Sequence, residues 1–309
     1  MPPAFRPSGT SIGPYLEHLY ATVDVPARLA ADPVRFAHRY PQRDDREVAA
    51  LLASCFAFGR VAAFSAVLER LFAIADARGG PRAFVGGFEP ERDGALLAPL
   101  VYRWNRGIDW TLLLAALRQL YGDAPTLERH LGDGPLPEAL DALVLAVREA
   151  AVAGARSCGI GAKTFDELPR SFRTLLPRPA DGSATKRWWM FLRWMIRPTR
   201  EGIDLELWTV RRPAELVVPL DTHVLRLSRF LGLTTRRDGS LRTALDVTEA
   251  LRRLDPTDPI RFDFALAHLG ISGACRGVRD EGICPFCPLH PVCVAGESRP
   301  PRRSGSLAL

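Results

Sequence analysis

Four cysteines fall within nineteen residues, Cys275, Cys284, Cys287 and Cys293, in the pattern C-x8-C-x2-C-x5-C. Thiolates bind metals, and four of them form a complete ligand set. Structural zinc usually takes two close pairs, or one pair with histidines. Here only Cys284 and Cys287 form a close pair, and the outer two stand alone. The spacing favours a 4Fe–4S cluster over zinc, although it is longer than the ferredoxin runs. His290 lies inside the loop and reads as a group beside the ligands. Cys55 and Cys158 are isolated and read as small buried apolar residues.

A second kind of chemistry belongs to the lysines. Of the 41 basic residues only Lys163 and Lys186 are lysines, so 41 − 2 leaves 39 arginines. A guanidinium stays protonated and is a poor nucleophile, whereas an amine can attack carbon. A lysine kept in such a background points to a site that needs an amine. Downstream, Pro219 and Leu220 lead into Asp221-Thr222-His223-Val224-Leu225-Arg226-Leu227, a helix expected to end at Gly232. On its own Asp221 reads as the N-cap of that helix.

Positioning these residues falls to helices. Val48, Leu51, Leu52, Cys55 and Phe56 follow a core-facing helical spacing, with Asp44 or Asp45 as cap. After a break at Phe58-Gly59, Val61, Phe64, Leu68, Leu71 and Phe72 form a second stripe. Asp109 opens a helix closed by Gly122; Leu140, Leu143, Val144, Val147 and Ala151 mark another that ends at Gly154; Asp258-Pro259 starts one that ends at Gly270. The stretch Trp188 to Ile196 is apolar on nearly every side and should be a buried central helix. No segment alternates with period two, so the fold class is all-α. The loops at Gly79-Gly80-Pro81, Gly86-Gly87 and Pro177 to Gly182 lack the ending of a nucleotide phosphate loop.

Composition bounds the function classes. The 309 residues carry a net charge of +6 and are 47% hydrophobic and 25% charged, which is globular composition. No run approaches the ~18 apolar residues of a spanning helix. Glu17 and His18 stand where a signal peptide would be apolar, so the chain is expected to be soluble and cytoplasmic. The basic excess is compatible with a polyanionic partner or with an ordinary basic enzyme.

A short helix from Ser171 to Leu176, a Gly-containing hairpin and a helix with Lys186 in its first turn outline a helix-hairpin-helix element. Followed by Leu220-Asp221-Thr222-His223 and the four-cysteine loop, this order resembles the helix-hairpin-helix DNA glycosylases of the endonuclease III type. That likeness runs from about Leu175 to Cys293. More closely, the chain is similar to an uncharacterised bacterial family beside that superfamily, over most of residues 15–293. The matching stretches are Arg35-Phe-Ala-His-Arg-Tyr40, Phe56-Ala-Phe-Gly-Arg-Val61, Gly182 to Arg197 and Leu220 to Leu227. The hairpin departs from the compact Leu-Pro-Gly-Val-Gly form, and the first cysteine gap is two residues longer than usual. The 35 positions from Lys186 to Asp221 also exceed the endonuclease III interval, as they do in archaeal 8-oxoguanine glycosylases.

The resemblance implies a two-lobed fold whose cleft separates a helical barrel from a lobe built by both chain ends. Its units would be residues 1–42, packing with the C-terminal lobe, the barrel 43–196, the lobe 197–274, the cluster loop 275–293 and a disordered tail 294–309. It implies that Asp221 is the catalytic aspartate, Lys186 the nucleophile of a bifunctional glycosylase and abasic-site lyase, and the four cysteines the ligands of a 4Fe–4S cluster. The amine would have to be neutral, against an ordinary pKa of ~10.4, which burial beside Trp188 and Trp189 would favour. Lys163, in Gly159-Ile-Gly-Ala-Lys-Thr164, imitates the hairpin, but Pro169 would break the helix that must follow.

Double-stranded DNA with a damaged base would be the partner, with no membrane, a monomeric state and a cytoplasmic, nucleoid-associated location. Gly182, Ser183 and Arg187 would meet it at the hairpin, Phe58 and Arg60 as the wedge filling the space of a flipped base, and Arg276 from the cluster loop. Arginines 193, 197, 200, 211, 212 and 226 are further candidates to track phosphates. The substrate base stays open. Two other readings stand beside this one: a non-catalytic helix-hairpin-helix nucleic-acid-binding protein with a structural metal site, and a zinc-stapled helical protein.

Overall fold

The apolar stripes become helices, and their ends are set by which carboxylates are free to cap. The computed structural model describes residues 11–198 and 202–295. Arg200 and the tail from residue 296 therefore lie outside the described residues, as do residues 1–10 of the expected N-terminal unit. The described residues form thirteen α-helices: α1 Gly13–Thr22, α2 Val25–Leu29, α3 Arg43–Phe56, α4 Val61–Asp76, α5 Pro81–Gly86, α6 Pro90–Leu97, α7 Gly107–Asp123, α8 Leu136–Gly154, α9 Arg170–Arg173, α10 Lys186–Ile196, α11 Thr222–Phe230, α12 Leu241–Arg252 and α13 Asp263–Ile271. They contain no strand beyond two isolated bridges, Tyr102–Asn105 and Ser183–Ser240. The fold is all-α, and no described helix is long and apolar enough to cross a membrane.

α3 sits at the centre. Val48 to Phe56 are all buried, and the helix packs on the 3-10 turn Pro33–Arg39 and on α10. α10 is buried from Trp188 to Ile196, as its lack of a polar face requires. α7 pairs with α8, and α11 with α13. α1 reaches across to α13, with Tyr20 edge-on to Phe262 at 6.0 Å.

One carboxylate in α3 is buried because four donors satisfy it. Glu47 accepts from Tyr121 Oη at 2.8 Å, Leu127 N at 2.9 Å, and Thr126 Oγ1 and Trp208 Nε1 at 2.5 Å each. It thereby pins the segment before α11 and the end of α7 onto the core. A second anchor is ionic: Arg193 Nη1 is 2.8 Å from Asp263 Oδ2, and Arg197 lies 2.5 Å from Asp204 and 2.8 Å from Asp258.

α3 has Gln42 at its N-cap with no side-chain cap bond, since Asp45 instead accepts from Arg82 N at 2.8 Å. α7 begins at Gly107, and Asp109 reaches back from its first turn to Arg106 N at 2.7 Å. The helix expected from Asp258 starts at Asp263, because Arg197 occupies the Asp258 carboxylate. The helix expected over Ser171 to Leu176 is the single turn α9.

Candidate functional site

Lys186 and Asp221, 35 positions apart, meet. Lys186 is the first residue of α10, and its Nζ is 3.6 Å from Asp221 Oδ2. Asp221 is the N-cap of α11, with Oδ1 accepting from His223 N and Val224 N at 2.8 Å each. The carboxylate thus divides its work: one oxygen caps the helix and the other faces the amine. Thr185, just before Lys186, is buried and held in the left-handed region at φ 43°, a conformation β-branched residues rarely adopt. Lys163 is exposed and lies outside this site.

The pair opens on a cleft of about 1010 Å³ between the α3–α4 loop, the turn before α10, the start of α11 and one face of α13. Two further pairs line it. Asp32 Oδ2 is hydrogen-bonded with His268 Nε2 at 3.2 Å, and Asp32 Oδ1 accepts from Val34 N at 2.9 Å. Burial works to raise the Asp32 carboxyl, but the bond to and charge of His268, the Val34 N–H and the Arg193 guanidinium together outweigh it and leave the group below its ordinary value. The other pair is Arg193–Asp263, in which Arg193 Nη2 and Asp263 Oδ1 make no hydrogen bond. Burial pushes the Asp263 carboxyl up to about 6 against the pull of Arg193, and the Asp221 carboxylate adds to the rise.

The residues nominated for DNA are placed unevenly. Arg60 is exposed on the cleft, and Phe58 lines it half-buried, stacked on Trp104 at 5.4 Å. Arg187 is turned inward, where its guanidinium donates to the carbonyls of Cys55 and Thr174. Gly182 has φ 74° and lends its carbonyl to Leu241 N at 3.0 Å, while Ser183 Oγ accepts Thr185 N at 3.2 Å. Arg276 is exposed and paired with Asp280 at 3.0 Å. Arg193 and Arg197 are internal ion-pair partners, and Arg211 donates to the carbonyls of Gly132 and Gly134, so these three are struts within the fold.

Cys275, Cys284, Cys287 and Cys293 all line one cavity of about 90 Å³, walled by Leu227, Leu231, Leu269 and Leu289. Among the described residues no three Cys, His, Asp or Glu side chains converge closely enough to hold a single ion. The four thiols share the lining of this one cavity. Burial raises the Cys287 and Cys293 thiols, and neighbouring cysteines add to it, so four bare thiolates here would need a positive group between them. The loop is tied to the site: Arg226 of α11 donates to Cys275 O at 3.2 Å, and an added Cβ at Gly277, where φ is 78°, would lie 2.6 Å from that guanidinium. Cys55 is buried as expected, whereas Cys158 is partly exposed.

Sequence reasoning missed Asp32, Asp263 and His268, which look like ordinary helix-start or surface residues until the elements close on one another. The one available signal was an Asp inside the otherwise apolar run Phe262 to Leu266. The family described as "Protein of unknown function (DUF2400)" matches residues 32–272, a span that holds Lys186 and Asp221 and stops short of Cys275, and the chain belongs to that family. No curated protein and no solved structure matches it.

Proposed function

Taking the chain as a member of the DUF2400 family, we propose that it is a DNA glycosylase that cleaves the N-glycosidic bond of a damaged base and then acts as an abasic-site lyase. The observation that carries this reading is Lys186 Nζ at 3.6 Å from the uncapped oxygen of Asp221, on the wall of a cleft large enough for a nucleoside. The turn from α9 to α10 serves as the hairpin of a helix-hairpin-helix glycosylase-like fold.

As the bond from C1′ to the base breaks, the base leaves with the electron pair and positive charge develops on the sugar. Asp221 Oδ2 stabilises that charge, fixed in place by the two N–H bonds on Oδ1. Lys186, having passed a proton to the departing base, attacks C1′ through Nζ. The ring C1′–O4′ bond then opens, O4′ takes the proton released from nitrogen, and a Schiff base remains from which the strand is cut by elimination. The expected burial of the amine beside Trp188 and Trp189 is not found: the Lys186 side chain is partly exposed on the cleft, while both indole rings lie in the core.

Cys275, Cys284, Cys287 and Cys293, which line one cavity, are proposed to hold a 4Fe–4S cluster, favoured over zinc by their C-x8-C-x2-C-x5-C spacing. When bound, the cluster would staple the loop against α11.

The test is base release from duplexes carrying oxidised purine, uracil, hypoxanthine or oxidised pyrimidine, with the wild type beside Asp221→Asn. Release from at least one duplex, falling by ~10²–10³-fold in the variant, is the expected result. No release from any of them by the wild type overturns the glycosylase reading and leaves the non-catalytic nucleic-acid-binding one.

A further inference from the structure

Of the six tryptophans, Trp110, Trp188, Trp189, Trp194 and Trp208 are fully buried, while Trp104 is 48% exposed. It stands in the tight turn between α6 and α7, closed by Tyr102 N to Asn105 O at 3.0 Å and Asn105 N to Tyr102 O at 2.8 Å. Inside that turn Arg103 is held at φ 54°, a left-handed conformation costly for a long side chain. Such strain persists only where the surroundings impose it. Here they do: Asn105 Nδ2 donates to Ser171 O at 3.1 Å, Trp104 Nε1 to Thr174 Oγ1 at 3.3 Å, and Tyr102 Oη to Phe58 O. Gly59, at φ 81°, lets the cleft loop come this close, since a Cβ there would sit 2.7 Å from Tyr102 Oη.

The indole is therefore presented rigidly, backed by Phe58 at 5.4 Å and 22°, whose ring also lines the cleft. Arg103 lies 4.8 Å from the indole centroid. Arg103 and Arg106 flank it in the turn and Arg60 stands on the cleft loop; all three are exposed and none forms an ion pair among the described residues, Arg106 donating to the carbonyls of Arg103 and Asn105. Exposed guanidinium groups outside any ion pair, near a fixed aromatic plane, match a polyanion that carries flat bases.

We propose that Trp104 is a stacking platform for an unpaired base of DNA at the cleft mouth, with Arg60, Arg103 and Arg106 taking the flanking phosphates. This rests on the DNA reading and assigns the platform to a residue that contributes nothing to the Lys186–Asp221 chemistry. Because the other five indoles are buried, quenching of tryptophan fluorescence by added DNA reports on Trp104.

The experiment titrates the full chain with a duplex holding one abasic-site analogue and with the same duplex fully paired, for wild type, Trp104→Ala and Trp104→Phe. The abasic duplex should quench the wild type more than the paired one does. Trp104→Ala should bind it roughly ten-fold or more weakly, and Trp104→Phe within a few-fold of wild type. Tight binding of the abasic duplex with unquenched fluorescence and unchanged affinity in Trp104→Ala refutes the platform and leaves the DNA reading standing. Failure of the wild type to bind either duplex refutes both.

Discussion

Asp263→Asn isolates the electrostatics of the cleft floor. The side chain is 4% exposed, bonded to Arg193 of α10, and feels Asp221 and Lys186 across the cleft. Burial holds its carboxyl at about 6 against an ordinary 3.8. The folded chain therefore binds this proton more tightly than the unfolded chain does. The cost of burying the carboxylate is carried in full above about pH 6 and is relieved as the pH falls from there towards 3.8. A gap of about 2 in pKa corresponds to about 3 kcal/mol, of which about 2 kcal/mol is recovered between about pH 7.5 and about pH 4.5. An asparagine keeps the shape and an acceptor for Arg193 but has no proton to gain. Wild type should thus gain stability relative to Asp263→Asn on acidification, by ~4 °C in Tm at roughly 2 °C per kcal/mol. Thermal unfolding of both proteins across that range measures it. Carboxylates such as Asp32 and Asp93, held below their ordinary value, lose stability on acidification in both proteins and cancel. Parallel Tm curves would refute the reasoning, since Asp263 would then titrate as a solvated carboxylate.

Cys287→Ser should abolish the brown colour expected of the purified wild type and lower its Tm; a colourless wild type holding one zinc per chain would instead identify the zinc-stapled alternative. Gly270→Ala places a Cβ at 2.5 Å from His223 Cβ, so α13 must move off α11. It should cost ~1–3 kcal/mol and slow base release, as read by denaturant unfolding beside the glycosylase assay. Glu47→Ala strands buried donors of Tyr121 and Trp208; at ~1–3 kcal/mol for each group left unsatisfied, it should shift the unfolding midpoint by more than any single surface substitution.

The helices were legible where one physical rule acted alone. The stripe from Val48 to Phe56, the run Trp188 to Ile196, apolar but for Arg193, and the cap at Asp221 all stand in the structure as the spacing implies. Boundaries failed where a carboxylate had a distant partner. Asp45 and Asp258 look like caps in sequence, yet Arg82 N and Arg197 claim them across 37 and 61 positions. The meeting of Lys186 with Asp221 was anticipated through a family likeness, because no local rule links positions on separate helices. The Asp32–His268 contact spans 236 positions and had no sequence signal at all. Trp104 was equally silent: its exposure depends on how the turn at Tyr102 to Asn105 sets against Phe58.

Borohydride trapping on an abasic-site duplex tests the central claim most directly, with the wild type run beside Lys186→Gln. A covalent protein–DNA adduct from the wild type that disappears in Lys186→Gln, while Lys163→Gln still traps, is the predicted result. An adduct that survives Lys186→Gln, or no adduct from the wild type under conditions where it binds the duplex, would contradict the assignment of the amine at the cleft as nucleophile.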